Sequence, residues 1–319
     1  MRLVFMGTPE FAVPSLELLI QRHNVASVVT QPDRPSGRGQ RVGSSPVKRL
    51  AQGHGISVLQ PRNVKDPRFI KEISGLNPEA IVVVAFGQKI PGDLLRLPKF
   101  GCINVHASLL PKYRGAAPIQ WAILNGEPKT GVTTMLMDEG WDTGDILLQR
   151  EVPIRDDMTA GELHDILACE GACLLLETIE KLERGTLRPM PQADEKATMA
   201  PKLTKEMAKI DWSLPASRIH NLVRAMAPSP GAFAFLDGER IKILKVQVLS
   251  EEDEPRISDG FGCAQAPGQV VEVDRNRGIT VSTGKGLLRL LEVQPEGGRR
   301  MEVQAFILGH RISQTMRFG

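Results

Sequence analysis

Short apolar runs rich in β-branched residues punctuate the first half of the chain, at intervals that leave room for helices. "RLVFMG" reads as a buried strand, and "VASVVTQ", "AIVVVAFG", "CINVHAS" and "GVTTMLM" as further strands. Between them lie segments of helical period such as "TPEFAVPSLELLIQRHN" and "APIQWAILNG". Strands alternating with helices predict an α/β fold, a Rossmann-like and mostly parallel sheet with right-handed crossovers. The longest periodic stretch, "TAGELHDILACEGACLLLETIEKLERG", opens on a Thr159–Glu162 capping box and stops at Gly185. It closes an expected first domain over residues 1–185. Residues 186–204 are Pro-rich and polar without a sustained period, which predicts a linker. Over 205–319 the texture changes. One helix, "SLPASRIHNLVRAMA", precedes short strands at "GAFAFLD", "IKILKVQVL", "GQVVEVD", "GITVST" and "GLLRLLEVQ", so a small OB-like β-barrel is expected there.

A length of 319 residues suits about two domains, and 41% hydrophobic with 24% charged residues is the make-up of a folded globular protein. The net charge of +3 neither demands nor excludes nucleic acid, because what matters is whether the cations cluster. They do cluster in "QPDRPSGRGQRVGSSPVKR", where Arg34, Arg38, Arg41, Lys48 and Arg49 face one acid, Asp33. Its glycines and prolines argue against regular structure, and such a loop could hold phosphates or simply be a solvated tip. The four cysteines, Cys102, Cys169, Cys173 and Cys263, form no zinc or redox spacing and are expected to be free and mostly buried, with Cys169 and Cys173 packed inward. No segment approaches the roughly 18 apolar residues of a membrane span, and the opening "MRLVFMGTPEF" reads as strand at once, so a cytoplasmic protein is expected. In "MGTPEF" only Gly7 is glycine, which is too little for a dinucleotide fingerprint.

The chemistry concentrates in "GCINVHASLLPKYRG". Side chains two apart on a strand share a face, so Asn104 and His106 point together while Ile103 and Val105 point the other way. Polar groups on a buried strand are costly unless they are paired or used. A neutral amide beside an imidazole suits an oxyanion forming on a carbonyl. Further on, "DEGWDTGD" supplies Asp138, Asp142 and Asp145, any of which could orient or charge the imidazole. A satisfied core histidine would leave the same trace.

The chain resembles the methionyl-tRNA formyltransferases, within the folate-dependent formyltransferase family, along nearly its full length. The motifs "GTPEFA", "TQPDRPSGRGQ", "SPVK", "CINVHASLLPKYRGAAPIQWAI", "KTGVT", "DTGDIL", "KLTKEMAKIDW" and "APSPGAF" occur in that family's order. The resemblance implies transfer of a formyl group from the co-substrate 10-formyltetrahydrofolate to the α-amino group of methionine on initiator tRNA, with no metal. It implies Asn104, His106 and Asp142 as the catalytic trio, and Ser108, Leu109, Leu110 and Pro111 as the folate-binding loop. It further implies Arg34, Arg38, Arg41 and Lys48 as tRNA contacts, a barrel that binds tRNA, and a monomer. Trp141 stands where relatives usually carry a smaller aliphatic residue, and Ala227 where Asn commonly precedes the proline. The alternatives are an enzyme of the same chemistry acting on an amino sugar nucleotide and, from another class, a catalytically silent tRNA-binding protein. The basic loop argues against the first, and the three chemical residues argue against the second.

Overall fold

A computed structural model describes residues 1–36, 41–250, 252–253 and 265–319. It divides into two compact units, one of Met1–Pro118, Lys129–Pro153 and Leu163–Pro201, the other of Ile119–Pro128, Ile154–Glu162 and Lys202–Gly319.

In chain order the first half runs β1 (Arg2–Gly7), α1 (Val13–Arg22), β2 (Asn24–Val29), β3 (Arg34–Ser36), β4 (Arg41–Gly43), α2 (Pro46–Gly53), β5 (Val58–Leu59) and α3 (Pro67–Gly75). It continues with β6 (Ala80–Val84), α4 (Gly92–Leu95), β7 (Cys102–His106), α5 (Pro118–Leu124), β8 (Lys129–Leu136), β9 (Ile146–Pro153) and α6 (Ala160–Glu183). Seven of these strands form one sheet in the order β5-β2-β1-β6-β7-β8-β9. Pairing is parallel from β5 through β7. The last two pairs, β7–β8 and β8–β9, are antiparallel. The strand residues of β6 and Leu3 to Met6 of β1 are buried, as an unbroken apolar run sandwiched on both faces requires. Val4, Met6, Ile81 and Val83 pack with Phe69 and Ile73 of α3 and Leu94 of α4 in one core cluster. Gly7 ends β1 because a Cβ there would sit 2.7 Å from the Phe5 ring and 2.9 Å from Ala12. Close packing, rather than approach of a pyrophosphate, accounts for that glycine.

The chain moves outward from β1 through β2 to β5 and returns to β6 on the other side of β1, so the strand order reverses between β1 and β6. In such sheets the crevice beyond the carboxyl ends at the reversal is where ligands bind. Thr8 and Gln31, just past β1 and β2, tie these two ends to that of β6, their side chains donating to the Phe86 carbonyl at 3.2 Å.

The second unit contains α7 (Ala216–Met226), β10 (Ala232–Leu236), β11 (Glu239–Val248), β12 (Val270–Asp274), β13 (Gly278–Ser282), β14 (Leu287–Pro295), β15 (Met301–Glu302) and α8 (Val303–Gly309). Its antiparallel sheet has the order β10-β11-β14-β13-β12, with β11 beside β14 in a Greek-key arrangement. The two outer edges are joined by the segment 316–319. Phe235 and Gly319 exchange backbone hydrogen bonds at 2.8 Å, while Phe318 N–H donates to the Gly268 carbonyl and Val270 N–H to that of Met316. The core gathers Ile219 and Val223 of α7, Trp212, Phe318 and, from a helix that the sequence pattern did not reveal, Val303 and Phe306.

Two local expectations are corrected. The base of the basic loop is a regular two-stranded ribbon, β3 with β4, since strand pairing tolerates Pro35 at a sheet edge. Cys169 and Cys173 are exposed, because the buried face of α6 is supplied by Leu163, Leu167, Leu174 and Leu175; Cys102 is buried, and Cys263 lies outside the described residues.

Candidate active site

Asn104 and His106 project from the same face of β7, where their register partners on β8 are Met135 and Thr133. Asn104 is half-buried; His106 is 6% exposed. The imidazole Nε2 lies 2.9 Å from the carbonyl of Tyr113. A carbonyl can only accept, so Nε2 carries a proton and the remaining nitrogen, Nδ1, is the one free to gain or lose one. Nδ1 faces Asp142, with Oδ2 at 3.8 Å. That distance is too long for a hydrogen bond but well inside Coulombic reach. Of the three acids the sequence offered, geometry selects this one. Asp138 instead accepts from Gly140 N–H and the Thr143 hydroxyl and shapes the turn.

Asp142 and Tyr113, the two residues that meet the imidazole, both have left-handed backbone, at φ 55° and 63°. Such conformations cost non-glycine residues on the order of 1–3 kcal/mol and persist only where neighbours enforce them. The enforcement is visible. Gly115 N–H donates to Asp142 Oδ2 at 2.9 Å, and Tyr113 N–H donates to the Thr198 hydroxyl at 2.8 Å.

The loop after β7 is stapled from beneath. Thr133 donates to the Ser108 carbonyl at 2.6 Å and accepts from Leu110 N–H, while Gln149 donates to the Leu110 carbonyl at 2.8 Å. Ser108 is fully buried, its hydroxyl donating to the Lys112 carbonyl, and Leu110 packs with Met135 and Ile146. Of the loop's four expected folate residues, then, Ser108 and Leu110 support it, and Leu109 and Pro111 are the half-exposed pair. The Leu110–Pro111 peptide is cis. Cys102, at the start of β7, has its thiol pushed up to about 12 by burial and is no nucleophile. Among the described residues no group of three or more His, Cys, Asp or Glu side chains is placed to hold a metal ion.

The basic residues are not equivalent. Arg34 is exposed on β3. The backbone of Arg41 pairs with Ser36 across the ribbon. Arg38 lies outside the described residues. Lys48, on α2, is held by Asp33 and by Gln60 Oε1 at 2.8 Å, which anchors the base of the ribbon. Those two partners, Lys48 first, hold the Asp33 carboxyl below the usual carboxylate range. Gln149, Thr133, Thr198 and Gln192 were not singled out from sequence. Each acts on a backbone group, which leaves no mark in residue pattern.

Residues 1–179 match the family model "Formyl transferase", and 202–311 match "Formyl transferase, C-terminal domain". The methionyl-tRNA formyltransferase of Caldanaerobacter subterraneus subsp. tengcongensis is 52% identical over 316 residues, 98% of each chain. That of Acetivibrio thermocellus is 50% identical over 315 residues, again 98% of each. This chain belongs to the methionyl-tRNA formyltransferases. The fold of this formyltransferase is shared more widely. It matches an N-formyltransferase from Helicobacter canadensis in complex with folinic acid and dTDP-3-aminofucose at a TM-score of 0.66 and 20% identity, covering 94% of this chain and 99% of that one. It also spans about half the length of HypX from Aquifex aeolicus, with a TM-score of 0.64 at 20% identity over 97% of this chain. No helix among this formyltransferase's described residues is long and apolar enough to cross a membrane.

Proposed function

We propose that the chain transfers the formyl group of 10-formyltetrahydrofolate to the α-amino group of methionyl initiator tRNA, acting as a monomer in the cytoplasm, with Asn104, His106 and Asp142 as its catalytic residues. The observation that carries the residue roles is the imidazole with one nitrogen committed to the Tyr113 carbonyl and the other turned to Asp142 at 3.8 Å.

The neutral amine attacks the formyl carbon, whose oxygen gains charge; the bond from that carbon to folate N10 then breaks. One proton leaves the amine and one reaches N10, so none is consumed. The amide NH2 of Asn104 donates to the charged oxygen. His106, protonated at Nδ1, supplies positive charge beside it. Its Nδ1–H is not spent on a hydrogen bond to the carboxylate, whose Oδ2 stands 3.8 Å away and orients the ring by its charge. No covalent enzyme intermediate is required, because proximity and charge stabilisation suffice for direct attack of the amine on the formyl carbon. Leu109 and Pro111, half-exposed on the loop that continues β7, offer apolar surface of the kind a flat pterin ring covers, with Ser108 and Leu110 holding the loop's shape. Arg34 and Arg41 of the ribbon, with Arg38 between them in the sequence, contact the acceptor stem of the tRNA, and Lys48 fixes the ribbon's base.

The test is formylation of methionyl-tRNA, set against amino sugar nucleotides, with 10-formyltetrahydrofolate as donor. Asp142→Asn is expected to lower kcat by about 100-fold or more with folding intact. Near-normal turnover in that variant would remove the trio from the mechanism, and formylation of the sugar in preference to the tRNA would overturn the substrate.

A further inference from the structure

Residues 190–200, expected to be part of a linker, are bound along their length to the first unit. Met190 exchanges backbone hydrogen bonds with Ile146 at 2.8 and 2.9 Å, and the Arg114 backbone does so with Thr198 and Ala200 at 2.8 and 2.7 Å. At the middle sits Gln192. Its Oε1 accepts from Arg114 Nε at 3.0 Å and Nη2 at 2.8 Å, while its Nε2 donates to the carbonyls of Asp142 at 2.9 Å and Gly144 at 2.7 Å. All four of the amide's hydrogen bonds are made. The orientation is fixed by its partners, since a guanidinium can only donate and a carbonyl can only accept.

Arg114 is buried, and its guanidinium also pairs with Asp194 at 2.7 Å. Its neighbour Gly115 supplies the N–H that holds the Asp142 carboxylate. Gly115 has φ 122° and passes so close to Ala200 that a Cβ would lie 2.8 Å from its carbonyl oxygen. Asp142 is therefore held at both ends, through its side chain by the 114–115 backbone and through its carbonyl by Gln192, and Arg114 locks the two together.

We propose that Gln192, braced by Arg114, is a positioning residue that keeps Asp142 in its left-handed conformation with the carboxylate toward His106, so that the 190–200 segment belongs to the catalytic machinery. This rests on the reading of Asp142 as a catalytic residue. Gln192→Glu is the informative change: it keeps the stem and the pairing with Arg114 but puts an acceptor where the two carbonyls need a donor. Gln192→Ala removes both sets of bonds.

Single-turnover and steady-state formylation are measured for both variants, alone and combined with Asp142→Asn. Each single variant is expected to lower kcat by about 10- to 100-fold with KM for folate and tRNA unchanged. In the Asp142→Asn background the same changes should cost no more than about twofold, because the group they position is already gone. If Gln192→Ala does not fold, Gln192→Glu decides alone. A Gln192→Glu enzyme of normal kcat beside an impaired Asp142→Asn enzyme overturns the positioning role only. An equal loss in both backgrounds also overturns it, since a general loosening of the fold would act that way. Normal turnover in Asp142→Asn overturns instead the reading of Asp142 on which the proposal stands.

Discussion

At the scale of single residues, the imidazole of His106 is constrained from two directions while the amide of Asn104 is half-buried on the same strand face. On the proposed mechanism the two therefore differ in what they contribute: His106 brings an imidazole that faces a carboxylate, and Asn104 brings a neutral donor. A donor aimed at an oxygen that becomes anionic only during reaction works on the transition state and not on the ground state. Asn104→Ala should accordingly reduce kcat by roughly 10²–10³ and leave KM for both substrates close to normal, as steady-state kinetics would register. A matching rise in KM with kcat preserved would mean that Asn104 binds substrate instead. The candidacy of these residues was legible because polar groups on an otherwise apolar strand break the alternation. The choice of Asp142 over Asp138 and Asp145 was not readable from the residues, since it depends on the backbone of a turn.

At the scale of elements, α6 shows a local rule acting where the sequence said it would. The Thr159 N–H donates to Glu162 Oε2 at 2.8 Å, and Glu162 N–H donates back to the Thr159 hydroxyl at 3.3 Å. The first of these bonds, then the Thr159 hydroxyl, holds the Glu162 carboxyl below its usual 4.5. A carboxyl lowered in the folded state stabilises fully above its unfolded value and loses that contribution as pH falls through the folded one. Thr159→Ala is therefore expected to cost about 1 kcal/mol at neutral pH, by urea titration, with the deficit shrinking in acid. A deficit constant down to pH 3 would mean the hydroxyl acts without the carboxylate. Caps and apolar periods are local, which is why α6 and the strand runs could be read directly. Strand direction is not local. Nothing in "GVTTMLM" distinguishes β8, antiparallel to both its neighbours, from the parallel strands of the sheet, and α8 is too short for its period to stand out.

Across the molecule, the strands of the second unit could be read from their alternation, whereas the contact that joins the sheet's edges could not. It comes from residues 316–319, a stretch with no strand-like run, yet one that bonds to β10 on one side and to Gly268 and Val270 on the other. Backbone pairing alone would be a weak fastening for so short a segment. Phe318 strengthens it: the ring is 2% exposed and packs against Trp212 with centroids 5.5 Å apart, inside the same cluster as Ile219 of α7 and Phe306 of α8. Removing a fully buried phenylalanine ring typically costs 3–5 kcal/mol through lost transfer energy and the cavity left behind. Phe318→Ala should lose about that much in calorimetric unfolding, and deletion of 316–319 should lose more, because it also exposes the edges of β10 and β12. The backbone bonds of 316–319 survive in Phe318→Ala, so the difference between the two variants isolates what edge pairing contributes beyond the ring. A Phe318→Ala protein within about 1 kcal/mol of the parent would show that the ring is not what fastens the segment, and would leave edge pairing to carry the closure.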